Sequence, residues 1–180
     1  MHQFLPIGEI KMAHPIVDQM RFARAELARG LEGISDESAA KHLGPMNCIS
    51  WTVGHLAWQE QRYWLERAQG RIPHPDLNQL YAYGAPMSTP SLKGTLDLWH
   101  AVRSEAEAFQ GNFTSQTLLL DLPHKGRSIG QSYGSALLRT IFHYWYHLGE
   151  IQAIRQMLGE RGLPEFVGDL EKLAPYRPAQ

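Results

Sequence analysis

The chain has 180 residues, of which 43% are hydrophobic and only 19% charged, with a net charge of −1 and a pI near 6.8. That length suits one domain, residues 1–180, because beyond ~150 residues most accessible surface can be buried in a core. No block of Lys or Arg is present to neutralise a phosphate backbone, which argues against nucleic-acid binding. No uninterrupted apolar run reaches the ~18 residues of a membrane span. Met1-His2-Gln3-Phe4-Leu5-Pro6 has no charged stretch leading into an apolar one. Cys48 is the only cysteine, so an intrachain disulfide and a Cys-rich zinc site are excluded. A reducing cytoplasm is the expected compartment.

In chain order, Ile16, Met20, Ala23, Leu27 and Leu31 fall at three- and four-residue steps and predict a helix over 16–31, with Pro15 in its first turn. Ser35-Asp36-Glu37 can start one short helical turn, and Gly44-Pro45 breaks the chain again. A second helix is predicted over 51–69, with Ser50 as N-cap and Gly70 just past its end. Trp51, His55, Trp58, Gln59, Arg62 and Glu66 share a broad face, and Leu56 and Trp64 lie elsewhere, which predicts cover on more than one side. Residues 71 to 89 hold Pro73, Pro75, Gly84 and Pro86 and no helical period. A connection this long predicts a crossover that lets the third helix run parallel to the second.

The third helix is predicted over 90–110, with Thr89 as N-cap, Pro90 at N1 and Gly111 as the stop. Leu118 to Gly126 holds Pro123 and Gly126, the signal for a turn with two short extended arms. The fourth helix, 132–159, is apolar nearly all round. His143, His147, Ile151 and Ile154 share one side, and Ile141, Trp145 and Leu148 the opposite one. A helix buried on two sides needs two partners, the bundle core and something else. Together with the low charge content this predicts a homodimer. Past Gly159, a short turn near 166–172 is expected to pack back. The fold class is therefore all-α, a four-helix bundle with one long crossover between its second and third helices.

The chemistry concentrates in Phe142-His143-Tyr144-Trp145-Tyr146-His147-Leu148-Gly149-Glu150. Histidines four residues apart lie on one helix face with Cβ atoms roughly 6 Å apart, so both rings can converge on one ion. Imidazole suits zinc, nickel, iron(II) and copper and suits magnesium and calcium poorly. The spacing alone leaves two independent core histidines equally open. A tightly held ion needs a third ligand, for which His55 is the candidate. A lone histidine is otherwise a satisfied core residue.

Asn47-Cys48-Ile49-Ser50-Trp51-Thr52-Val53-Gly54-His55-Leu56-Ala57-Trp58-Gln59-Glu60 resembles the second-helix motif of the DinB-like superfamily. His143 to Gly159 resembles that family's fourth-helix motif. The resemblance implies a four-helix bundle in up-down-down-up order and a divalent metal held by His55, His143 and His147. It also implies kinship with thiol-dependent enzymes, among them mycothiol-dependent maleylpyruvate isomerase and bacillithiol S-transferases.

The expected function is that of a metal-dependent enzyme acting on a small-molecule substrate. Zinc or nickel is the expected ion, with a low-molecular-weight thiol as cosubstrate and S-transfer favoured over hydrolysis. The alternative is a non-catalytic metal-binding stress or interaction protein. Glu60 and Glu150 read first as exposed helix carboxylates and second as groups that orient ligands or shuttle protons. Gln59 is placed to touch substrate. Arg62 and Arg155 are candidates to hold an anion, and Trp51, Trp58 and Trp145 an apolar wall. Tyr144 reads as packing. Cys48 reads as buried and inert, with a reactive thiol as the other option.

Overall fold

The computed structural model describes residues 13–179, so the N-terminal stretch read above lies outside the described residues. Helix α1, Pro15–Gly30, has its proline at N1, and the ring of His14 caps it by accepting from the Ile16 N–H. The short α2, Asp36–Ala40, begins at Ser35, whose hydroxyl accepts from the Ser38 N–H at 3.0 Å. Both starts follow from the capping chemistry of the residues that precede them.

Helix α3, Ile49–Glu60, runs without a break into a π-helical stretch, Gln61–Arg67. Every residue of Ile49–Glu60 is buried, so this helix is covered on all sides. The expected cap at Ser50 is corrected: Cys48 is the N-cap, without a side-chain bond, and Ser50 is fully buried in the first turn. Burial of Cys48 and Ile49 sets the start here, overriding local capping preference. Gly70 closes the π stretch with a positive φ of 68°, as a C′ glycine does.

The segment expected to be irregular contains a helix, α4, Leu77–Tyr81. Its five residues span barely more than one turn, too few for a period to show. The segment is pinned to α3. The Trp51 indole donates to the Leu80 carbonyl at 3.1 Å, and the Trp58 indole to Asn78 Oδ1 at 2.7 Å. The Gln61 side chain pairs with both backbone groups of His74. Gly54 makes this approach possible, since a Cβ there would sit 2.5 Å from the Tyr81 ring.

Helix α5, Leu92–Gln110, is capped by Ser91, which accepts from the Gly94 N–H, and not by Thr89 with Pro90 at N1. Its stop at Gly111 is as expected. After α6, Ser115–Leu119, strands β1, Asp121–His124, and β2, Arg127–Ser132, pair antiparallel, with His124 opposite Arg127. Lys125 and Gly126 take positive φ between them, the geometry of a two-residue hairpin turn. Helix α7, Tyr133–Met157, starts at Ser132, which accepts from the Ser135 N–H. A last short turn, α8, Leu170–Leu173, packs on α1.

The protein is mostly helical, with this hairpin the only sheet among the described residues. No described helix is long and apolar enough to cross a membrane. Helix α3 packs chiefly on α5 and α1 chiefly on α7, and α3 meets α7 between them. Phe22 lies against Trp145, and the Gly30 carbonyl accepts from Arg155 further along α7. Trp64, in the π-helical stretch that continues α3, meets Phe113, which meets Tyr133 at the start of α7.

Inside the apolar core sits one charged pair. Arg24 and Glu60 are both essentially inaccessible and meet through two hydrogen bonds, at 2.9 and 2.5 Å. Tyr144 donates to Glu60 at 2.5 Å and accepts from the Trp99 indole, and Arg24 also donates to Gln110. Burial alone would lower the Arg24 pKa. The attraction of Glu60 outweighs it and keeps the guanidinium charged. Burial, then the neighbouring Glu60, push the Tyr144 phenol well above its ordinary value. Glu60 is therefore a buried structural partner, neither an exposed carboxylate nor a neighbour of the histidines.

Candidate metal centre

Helices α3 and α7 bring His55, His143 and His147 together, and their candidate ligand nitrogens lie within 4.8 Å of one another. The three Nε2 atoms converge: His143 Nε2 is 3.2 Å from His55 Nε2 and 3.0 Å from His147 Nε2. Two of the rings are oriented from behind. His55 Nδ1 is 2.7 Å from the Tyr81 carbonyl oxygen, which only accepts, so Nδ1 carries the proton. His147 Nδ1 is 2.6 Å from Glu150 Oε2, with the same consequence when the carboxylate is ionised. The Nε2 atoms of His55 and His147 then both present lone pairs inward.

His143 has one Nε2 and cannot donate fully to both. Converging lone pairs repel unless a cation lies among them. Separations of 3.0 and 3.2 Å compare with the about 3.3 Å between ligands of a tetrahedral ion bound at 2.0–2.1 Å. The donor set thus fits a divalent transition metal. His143 Nδ1 is buried without a partner, so this ring lacks the support its neighbours have.

The environment favours the neutral form of His55 and His143, the form in which an imidazole binds a metal. Burial is the main cause that lowers the His55 pKa to about 4, with His147 adding to it. Burial again, then His147 and His55, lower His143 to about 3. Burial would raise the Glu150 carboxyl, but the hydrogen bonds from His147 and Tyr146 outweigh it and hold it below its ordinary value. Trp51 and Trp58 stack on the His55 ring with centroids at 5.2 and 5.1 Å. They form the apolar wall expected of them, but Trp145 does not join it and packs on Phe22 of α1.

Two clefts flank the centre. One, of about 450 Å³, is lined by all three histidines together with Trp51, Tyr83, Met87, Tyr146 and Glu150. The other is also lined by His143 and contains Gln59. The remaining candidates fall elsewhere. Arg155 is buried and ties α7 to the end of α1 through the Gly30 and Glu32 carbonyls. Arg62 stacks on Trp58. Cys48 is fully buried, with Sγ near Ser50 Oγ and the Ser88 carbonyl. Sequence reasoning did not find Tyr81, because it acts through a backbone carbonyl. Glu150, three residues after His147, carried a visible signal in its spacing.

A helical protein with three converging imidazoles on two helices is the class these features define. The family model of the DinB superfamily matches residues 19–151, a span that includes His55, His143 and His147. The chain belongs to the DinB superfamily. No curated protein matches it.

Proposed function

We propose that this chain is a metal-dependent enzyme with a divalent transition ion, zinc or nickel, held by His55, His143 and His147. The observation that carries this reading is the convergence of three Nε2 atoms beside an open cleft. Catalytic metal sites keep three protein ligands and an open position, whereas structural ones are closed by a fourth. Glu150 is engaged with His147, and no further His, Cys, Asp or Glu joins the cluster among the described residues. When bound, the ion supplies a Lewis acid that eases proton loss from a thiol or a water.

The residues of the chain do the rest. The Tyr81 carbonyl and Glu150 fix two ligand rings, and Trp51 and Trp58 keep water from the faces of His55. The buried Cys48 offers no nucleophile, so thiol chemistry draws on a low-molecular-weight thiol cosubstrate. S-transfer from that thiol to a small electrophile is favoured over hydrolysis, following the family resemblance.

The setting is a single domain, residues 1–180, built as an up-down-down-up four-helix bundle. The Phe22–Trp145 and Gly30–Arg155 contacts support α1 and α7 running the same way, and the Trp64–Phe113–Tyr133 chain supports α3 opposing α7. The single cysteine supports residence in a reducing cytoplasm.

Elemental analysis of the purified protein should find close to one zinc or nickel per chain. His55→Ala, His143→Ala and His147→Ala should each lose it. Metal-loaded protein is then offered a panel of electrophiles with several cellular thiols. Turnover that depends on His147 supports the enzyme. A loaded protein inert toward thiol and water alike is instead a non-catalytic metal-binding protein.

A further inference from the structure

Along α3 and the π stretch, His55, Gln59 and Tyr63 follow at four-residue steps. On α7, His143, Arg139 and Ser135 follow at the same step in reverse. Gln59 and Tyr63 of the first row and all three residues of the second line one groove of about 860 Å³ that starts at His143 and is bounded on its third side by Ile129 to Gln131 of β2. Two features of this groove have no structural use. The Gln59 side chain is 93% buried, yet its Oε1 is enclosed without a hydrogen-bond partner. Such an orphaned polar group is unfavourable unless a ligand or water completes it. Arg139 is exposed at the groove and forms no ion pair among the described residues. Leu138 and Phe142 stand beside it, 43% and 63% exposed, as apolar surface over which a ligand can lie.

We propose that this groove binds a small organic carboxylate bearing an amide group. Its carboxylate pairs with Arg139, its amide meets Gln59, and its free end points toward His143. A guanidinium selects a carboxylate through paired N–H donors. The Gln59 amide can turn over to offer an acceptor or a donor, and a ligand amide answers both. The groove and the histidine-lined cleft share only His143 among their lining residues, so two molecules can approach the centre through separate openings. What is done to the ligand rests on the enzyme reading, but its binding does not.

The test uses N-acetylglycine and its uncharged counterpart N-acetylglycinamide as probes. Each is titrated into isotope-labelled full-length protein and followed by NMR, with metal content measured on the same samples. N-acetylglycine is expected to bind about fivefold tighter than the amide, and Arg139→Gln to abolish that preference. Gln59→Met is expected to weaken both probes about threefold. Arg139 lies on an exposed helix position, so its variant decides alone if Gln59→Met does not fold. Absence of binding in fully metal-loaded protein, or a carboxylate preference that survives Arg139→Gln, overturns the groove and leaves the metal centre standing. Binding with these preferences in protein that takes up no metal keeps the groove and removes the enzyme reading.

Discussion

Glu150 and the Tyr81 carbonyl perform one task by different means: each accepts a hydrogen bond from the outer N–H of an imidazole and so leaves the lone pair on its inner nitrogen. Glu150→Ala should therefore lower metal affinity about 10- to 100-fold, measured by competition with a chromophoric chelator. An unchanged affinity would show that His147 needs no support. The metal-free protein should also be sensitive to acid. His55 and His143 titrate near 4 and 3 when folded, against an ordinary 6.5 when unfolded. Protons thus favour the unfolded chain, and the stability these groups confer is complete above pH 6.5 and is lost as pH falls toward those values. Chelator-treated protein should melt markedly lower at pH 5 than at pH 7.5, and His143→Gln should shrink the difference. An equal loss in that variant would assign the effect to other groups. That the three histidines cluster was legible because helical spacing pointed to His143 and His147 and a motif resemblance added His55. Glu60 was misplaced because a carboxylate in a helix carries no sign of whether an arginine 36 residues away will bury it.

At the scale of elements, the segment between α3 and α5 acts as the back wall of the centre. It reaches α3 only because Gly54 leaves room for the Tyr81 ring. Gly54→Ala should cost about 1–3 kcal/mol by overpacking, and it should also loosen the metal by displacing the carbonyl that orients His55. Thermal melts and metal analysis together check this. Lost stability with full metal retention would mean that the ring moves while its carbonyl stays. The four long helices were legible to within about three residues from their apolar stripes. Their starts at Ser50 and Thr89 were not, because burial and a second hydroxyl nearby decided them. Helix α4 was missed because one turn has no period, and the π stretch because its residues read as plain helix.

For the molecule as a whole, α7 was expected to show two apolar sides, one of them for a partner. Both sides are used within the chain: the histidine side meets α3, while Trp145 and Leu148 meet α1 at Phe22 and Gly30. The homodimer proposal now rests on a third row. Leu138, Phe142 and Tyr146, at four-residue steps, are 43%, 63% and 63% exposed. Two-fold pairing of this row would cover it, and because Leu138 and Phe142 also line the groove at Arg139, a carboxylate bound there should weaken the pairing. Sedimentation at micromolar concentration should give about twice the 20.4 kDa chain mass, and Phe142→Glu should halve it. A wild-type monomer would reject the pairing. The low charge content was the legible part of this argument. Which face stays bare was not, because it depends on how the helices turn once packed.

His55 and His143 stand 88 residues apart in the chain, and a shared ion would knot those two points together. A chain without any disulfide would then own a reversible fastener, one the cell can undo without changing a covalent bond. Unfolding would have to release the ion, so the lifetime of the folded protein would rise with the free metal around it. Starved of metal, the same molecule would become both idle and short-lived, and its abundance would follow the supply of the ion it uses.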